Sequence, residues 1–125
     1  MSAVLDLWRE AHAEPTHTDD ADSLTRLMTF NPEALIVAAE DGAVVGSVIA
    51  AWDGWRGSIY RLAVAPRYRR RGLGEHLVRT AEDRLTRKGA VRLQAIVVES
   101  DPRAAGFWRA IGWEQQADRR RFVKG

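Results

Sequence analysis

The chain has no cysteine among its 125 residues, which removes disulfides, thiolate nucleophiles and cysteine-ligated metals. Histidine is scarce: His12, His17 and His76 are the only three, and no H-x-x-x-H or comparable spacing links them. Metal catalysis therefore has little to stand on. Phenols are limited to Tyr60 and Tyr68. No apolar run approaches the roughly 20 residues that span a bilayer, and the first residues show no basic region followed by an apolar one. A cytoplasmic protein without a membrane partner is the expectation. Neither G-x-x-x-x-G-K-[ST] nor G-x-G-x-x-G occurs, so neither the Walker loop nor the dinucleotide fingerprint is present. What remains is a chain of single-domain length, expected to fold as one unit over 1–125. Its 46% hydrophobic and 29% charged content suits a packed core.

The most informative stretch is 67–74, RYRRRGLG, between the apolar run 58–64 and the periodic run 73–85. From Gly54 to Gly74 there are six arginines (Arg56, Arg61, Arg67, Arg69, Arg70 and Arg71) and no carboxylate. This segment carries +6, while the 13 basic and 17 acidic side chains elsewhere leave −4, so the overall +2 conceals a focused anion site. Backbone N–H groups at a helix start are free to bind phosphate, and the missing side chains at Gly72 and Gly74 allow close approach. A broad nucleic-acid surface would interleave basic and aromatic groups over a face, and the rest of the chain is net acidic. No nucleic-acid partner is expected; a phosphorylated cofactor is.

Periodicity places helices at 3–11 and, after a cap at Asp19 or Asp20, around Leu24, Leu27 and Met28. Strands are expected at 34–39 and 44–51, joined by an Asp41-Gly42 hairpin turn, and at 58–64. Leu73, Leu77, Ala81 and Leu85 define a helix ended by Gly89, and 91–98 reads as a strand reached by a parallel crossover. Asp101-Pro102 opens a helix to Ala110, and a closing hairpin is expected from 113–116 and 119–124. The fold class is α/β (α+β): a mixed, mostly antiparallel central sheet flanked by helices, with one β-α-β crossover.

In these motifs the sequence resembles the GNAT superfamily of acyl-coenzyme A N-acyltransferases. The signature R/Q-x-x-G-x-G/A appears as Arg69-Arg70-Arg71-Gly72-Leu73-Gly74, after Leu62-Ala63-Val64-Ala65-Pro66. A second pattern, N-x-x-A-x-x-[FL]-Y-x-x-x-G-[FY], is met with conservative departures by Asp101, Ala104, Phe107, Trp108, Gly112 and Trp113. The stretch 53–57 with Tyr60 looks like the bacterial branch loosely related to ribosomal-protein alanine acetyltransferases. The resemblance covers about 34–125. It implies acetyl-coenzyme A as cofactor, with its pyrophosphate on the amides of 69–74. It also implies a pantetheine arm paired to a splayed strand at Leu62, Ala63 and Val64, with Asp101, Ala104 and Trp108 completing the cofactor site. Relatives usually begin with a strand, whereas this chain opens on a helix. A missing first strand would leave an exposed edge near 34–39, and a monomer or a homodimer is compatible with that.

The implied reaction is acetyl transfer to a primary amine of a small molecule or peptide; the alternative is a domain that binds or senses acyl-coenzyme A without turnover. Many relatives carry a tyrosine acid where this chain has Trp108, and an indole N–H cannot act as a general acid. The ribosomal type carries a glutamate where Ile96 stands. Glu99, at the end of the same expected strand, is the candidate base.

Overall fold

The computed structural model describes residues 2–11, 19–97 and 102–125, apart from the side chain of Pro102. In chain order these residues form α1 (Ser2–Glu10), α2 (Ala21–Phe30), β1 (Leu35–Glu40), β2 (Ala43–Trp52) and β3 (Gly57–Val64). A 3-10 turn (Pro66–Tyr68) then leads to α3 (Leu73–Lys88), β4 (Leu93–Ala95) and α4 (Pro102–Ala110). The sheet order is β1-β2-β3-β4, antiparallel except for the β3–β4 pair. This is the mixed, mostly antiparallel sheet with flanking helices that the sequence predicts, with β1 at its edge. The chain forms two compact units, Met1–Ala95 and Ile96–Gly125.

Strand alternation assigns the two faces of β2. Ser47 accepts a hydrogen bond from Trp8 Nε1 at 2.9 Å, so α1 covers one face. Gly46 points to the other, where a Cβ would lie 3.0 Å from Leu77 Cδ1 and 3.2 Å from Leu73 Cδ2 of α3. Val4, Leu7, Trp8 and Leu24 pack with Val45, Ile49 and Ala63 in one core, each large apolar side chain contributing about 1.5–3 kcal/mol on full burial. The Asp41-Gly42 turn has both residues at positive φ, 52° and 80°, as a tight hairpin requires. Asp20 caps α2: its Oδ1 accepts from the Ser23 amide at 2.7 Å.

Two sequence expectations are corrected. Of the strand expected at 91–98, the described residues 91–97 form strand over Leu93–Ala95, and Val98 lies outside the described residues. The Gly89 amide donates to Leu85 O and Thr86 O, and the Ala90 amide to Leu85 O at 3.0 Å. The helix stop therefore consumes the start of the apolar run and leaves Val91 96% exposed. The closing hairpin is absent: after α4 the chain has no strand, and Phe122 and Val123 are exposed. Residues 114–121 offer no alternating apolar face that a sheet would bury.

Candidate functional site

The 67–74 segment is built from its two ends inward. Ala65 N–H donates to Val45 O at 2.9 Å, holding the end of β3 to β2, and Tyr68 N–H returns to Ala65 O at 2.8 Å. The first bond within α3 is His76 N–H to Gly72 O at 3.0 Å, which leaves the preceding amides of the helix start without an internal acceptor. Among the described residues, the amides of 70–75 have no backbone partner. Arg70 and Gly72 both take positive φ, 65° and 79°, on either side of Arg71. Alternation of this kind turns successive N–H groups toward one concave side, a nest for an anion. A Cβ at Gly72 would meet nothing within 4 Å, so the space in front of this helix start is open.

The arginines separate into two groups. Arg67 Nη1 reaches Glu10 Oε1 at 2.8 Å and Arg69 Nη2 reaches Ala11 O at 3.0 Å. Both bind the end of α1, whose terminal carbonyls lack helical partners. Arg70 and Arg71 have no ion pair among the described residues; Arg71 lies over the Tyr68 ring, 5.1 Å from its centroid. Glu40, accepting from the Tyr68 hydroxyl, raises the pKa of that phenol above its usual value, aided by burial. A phenol held this way gives up its proton less readily.

The upstream strand carries an irregularity that the sequence does not announce. Ser47 pairs with Ala63 and Ile49 with Tyr60, so Val48 alone faces two residues, Arg61 and Leu62. This is a β-bulge with Arg61 at φ 53°. Pairing of β3 to β4 ends at Ile59↔Ala95, leaving 60–64 without a strand partner on that side among the described residues. Among the described residues, Leu62, Ala63 and Val64 thus lie on an unpaired edge that runs directly into the amide nest. Ala104 and Trp108 are in α4 of the second unit, half-buried. There the Trp108 ring stands edge-on to Phe107 and Trp113, with centroids at 5.6 and 4.7 Å. Glu99 and Asp101 lie outside the described residues. So do His12 and His17. Ile96 is exposed and outside the strand.

An open strand edge ending in an amide cradle at a helix start has the chemistry to hold an extended polar chain tipped with an anion. Residues 1–113 match the Acetyltransferase (GNAT) family. An acetyltransferase of Yersinia pestis (strain Pestoides F) is 33% identical over 113 residues, 90% of this chain and 80% of that protein. The PaiA N-acetyltransferase of Thermoplasma acidophilum, solved with coenzyme A, aligns over 92% of this chain and 84% of its own, with a TM-score of 0.77 and 14% identity. An aminoglycoside acetyltransferase from an uncultured soil metagenomic sample, solved with sisomicin, aligns over 99% and 88%, with a TM-score of 0.73 and 20% identity. At these identities the solved structures establish the fold. The chain belongs to the GNAT family of acetyltransferases. No helix among the described residues is long and apolar enough to cross a membrane.

Proposed function

We propose that the chain, acting as a single transferase domain, moves an acetyl group from acetyl-coenzyme A to a primary amine of a small molecule or peptide. The observation that carries this reading is the run of unpartnered amides at 70–75, continuous with the unpaired edge of β3. In this reading the amides of 71–74 receive the pyrophosphate, with Arg70 and Arg71 adding charge at the rim. Backbone groups of Leu62, Ala63 and Val64 pair with the pantetheine arm and polarise the thioester carbonyl, as the family resemblance implies. Acetyl-coenzyme A supplies the thioester whose C–S bond breaks as the amine nitrogen bonds to the carbonyl carbon; the amine loses a proton and the departing thiolate gains one. With no cysteine in the chain, transfer runs directly within a ternary complex.

Asp101, Ala104 and Trp108 are assigned to the coenzyme on their match to the family pattern alone. Glu99 is assigned as the base, or as the group that orders a water acting as base, from its sequence position alone. Glu99→Gln should then lower kcat/KM by about 10²-fold with little change in coenzyme affinity. A near-wild-type rate would return deprotonation to solvent. The branch resemblance at 53–57 is the reason to test peptide N-termini as acceptors, and sisomicin, bound in the solved structure of a neighbour 20% identical to this chain, is the reason to test aminoglycosides.

Free-thiol release from acetyl-coenzyme A should be measured over amino acids, polyamines, aminoglycosides and peptide N-termini. Amine-dependent release supports the transferase. Coenzyme binding without release for any amine would favour the alternative, a binding or sensing domain, which Trp108 in the usual tyrosine position motivates.

A further inference from the structure

The bulge on β3 is held by a side-chain cluster assembled from three distant parts of the chain. Arg61 Nε donates to Asp19 Oδ1 at 3.0 Å, and its Nη2 donates to Asp19 Oδ2, a two-pronged pair. The two side chains are only 16% and 15% exposed. The same guanidinium lies over the Trp8 ring, 5.5 Å from the centroid. Trp8 in turn donates to Ser47, a fully buried residue whose partner Ala63 closes one side of the bulge. Asp19 directly precedes Asp20, the N-cap of α2.

Arg61 is not glycine, yet its backbone sits at φ 53°, a conformation that persists only where the surroundings over-determine it. A planar guanidinium fixed on one side by a carboxylate fork and on its face by an indole supplies that constraint. Bulges re-aim neighbouring backbone groups, and here the neighbours are the residues of the unpaired edge. We propose that Asp19 and Arg61 are positioning residues: their ion pair fixes the β3 bulge, and thereby the direction of the backbone groups at 62–64 that meet the thioester, to the start of α2. This inference rests on the acetyl-coenzyme A reading and adds to it a coupling between the α1–α2 side of the sheet and the reacting carbonyl.

The test uses Arg61→Gln, Asp19→Asn, their double variant and Arg61→Lys, which keeps the charge but not the fork. Arg61→Gly, whose backbone adopts positive φ freely, guards against simple misfolding. Measured for each are the melting temperature, coenzyme A affinity, kcat and KM with the best amine, and amide hydrogen exchange at 60–64 without coenzyme. We expect each substitution, Arg61→Lys included, to lower kcat about tenfold with coenzyme affinity within twofold. Exchange at 60–64 should quicken, and the double variant should be no worse than either single one, because the two side chains act as one unit. Unchanged kcat, unchanged exchange at 60–64, or coenzyme affinity falling in step with kcat would each overturn the proposal. If the wild type releases no thiol with any amine, the transferase reading fails instead, and the exchange readout still judges the clamp.

Discussion

At the scale of single residues, the basic segment is divided by its contacts. Arg61, Arg67 and Arg69 are engaged within the protein, by Asp19, Glu10 and the Ala11 carbonyl. Arg70 and Arg71 face outward beside the amide nest. The sequence alone shows six equal charges with no carboxylate among them, since the partners lie 42 to 58 positions away in the chain. Arg71→Ala should therefore weaken coenzyme binding several-fold, as expected for losing a charge-assisted contact. Arg67→Ala, which removes a half-exposed surface pair, should change affinity less than about twofold; calorimetric titration checks both. A second residue-scale prediction concerns Asp20. The Ser23 amide and hydroxyl both donate to its carboxylate and hold its pKa below the usual range. A folded-state pKa lower than the unfolded one stabilises above the unfolded value, and this stabilisation is lost as pH falls through the folded one. Asp20→Asn keeps an acceptor for the cap but does not titrate. Its melting temperature should fall less steeply than that of the wild type between about pH 5 and 2.

At the scale of elements, the regular pieces were legible because their periods are local. The four-residue repeat of Leu73, Leu77, Ala81 and Leu85 gave α3, and all but Leu73 are fully buried. Asp41-Gly42 gave the first hairpin, whose turn has the two positive φ values that pair favours. The β4 expectation ran too long because an apolar run does not reveal where a helix stop ends and a strand begins. The bulge at Arg61 was invisible because the alternation of Tyr60, Leu62 and Val64 continues through it unbroken. The close fit of α3 against the sheet was equally hidden, and it yields a prediction. A Cβ at Gly57 would sit 2.7 Å from Leu93 Cδ2, 2.8 Å from Leu85 Cδ1 and 3.2 Å from Leu85 Cβ. Gly57→Val should destabilise by about 1–3 kcal/mol or more, read as a lower urea midpoint with an unchanged slope. Gly42→Asn, at a turn position with open space and φ 80°, should cost far less, because asparagine tolerates that conformation.

At the scale of the whole molecule, the four strands among the described residues and the α3 crossover bring one open backbone edge up to one unpartnered set of amides. This continuity joins the fold to the proposed chemistry. The glycines and arginines marked the helix start, and the family resemblance implied a splayed strand at 62–64; the point where pairing stops comes only from the β3–β4 ladder of three pairs. The central claim is that backbone amides at the start of α3, reached through the bare Gly72, hold the pyrophosphate of the coenzyme. Gly72 is at φ 79° with open space before it, so a valine there both strains the turn and fills the approach. The most direct measurement is titration of acetyl-coenzyme A into folded wild type, Gly72→Val and Arg67→Ala, with thermal melts confirming that each variant is native at the working temperature. The account predicts that Gly72→Val loses at least tenfold in affinity while Arg67→Ala stays close to wild type. Equal affinities for the two variants would contradict it.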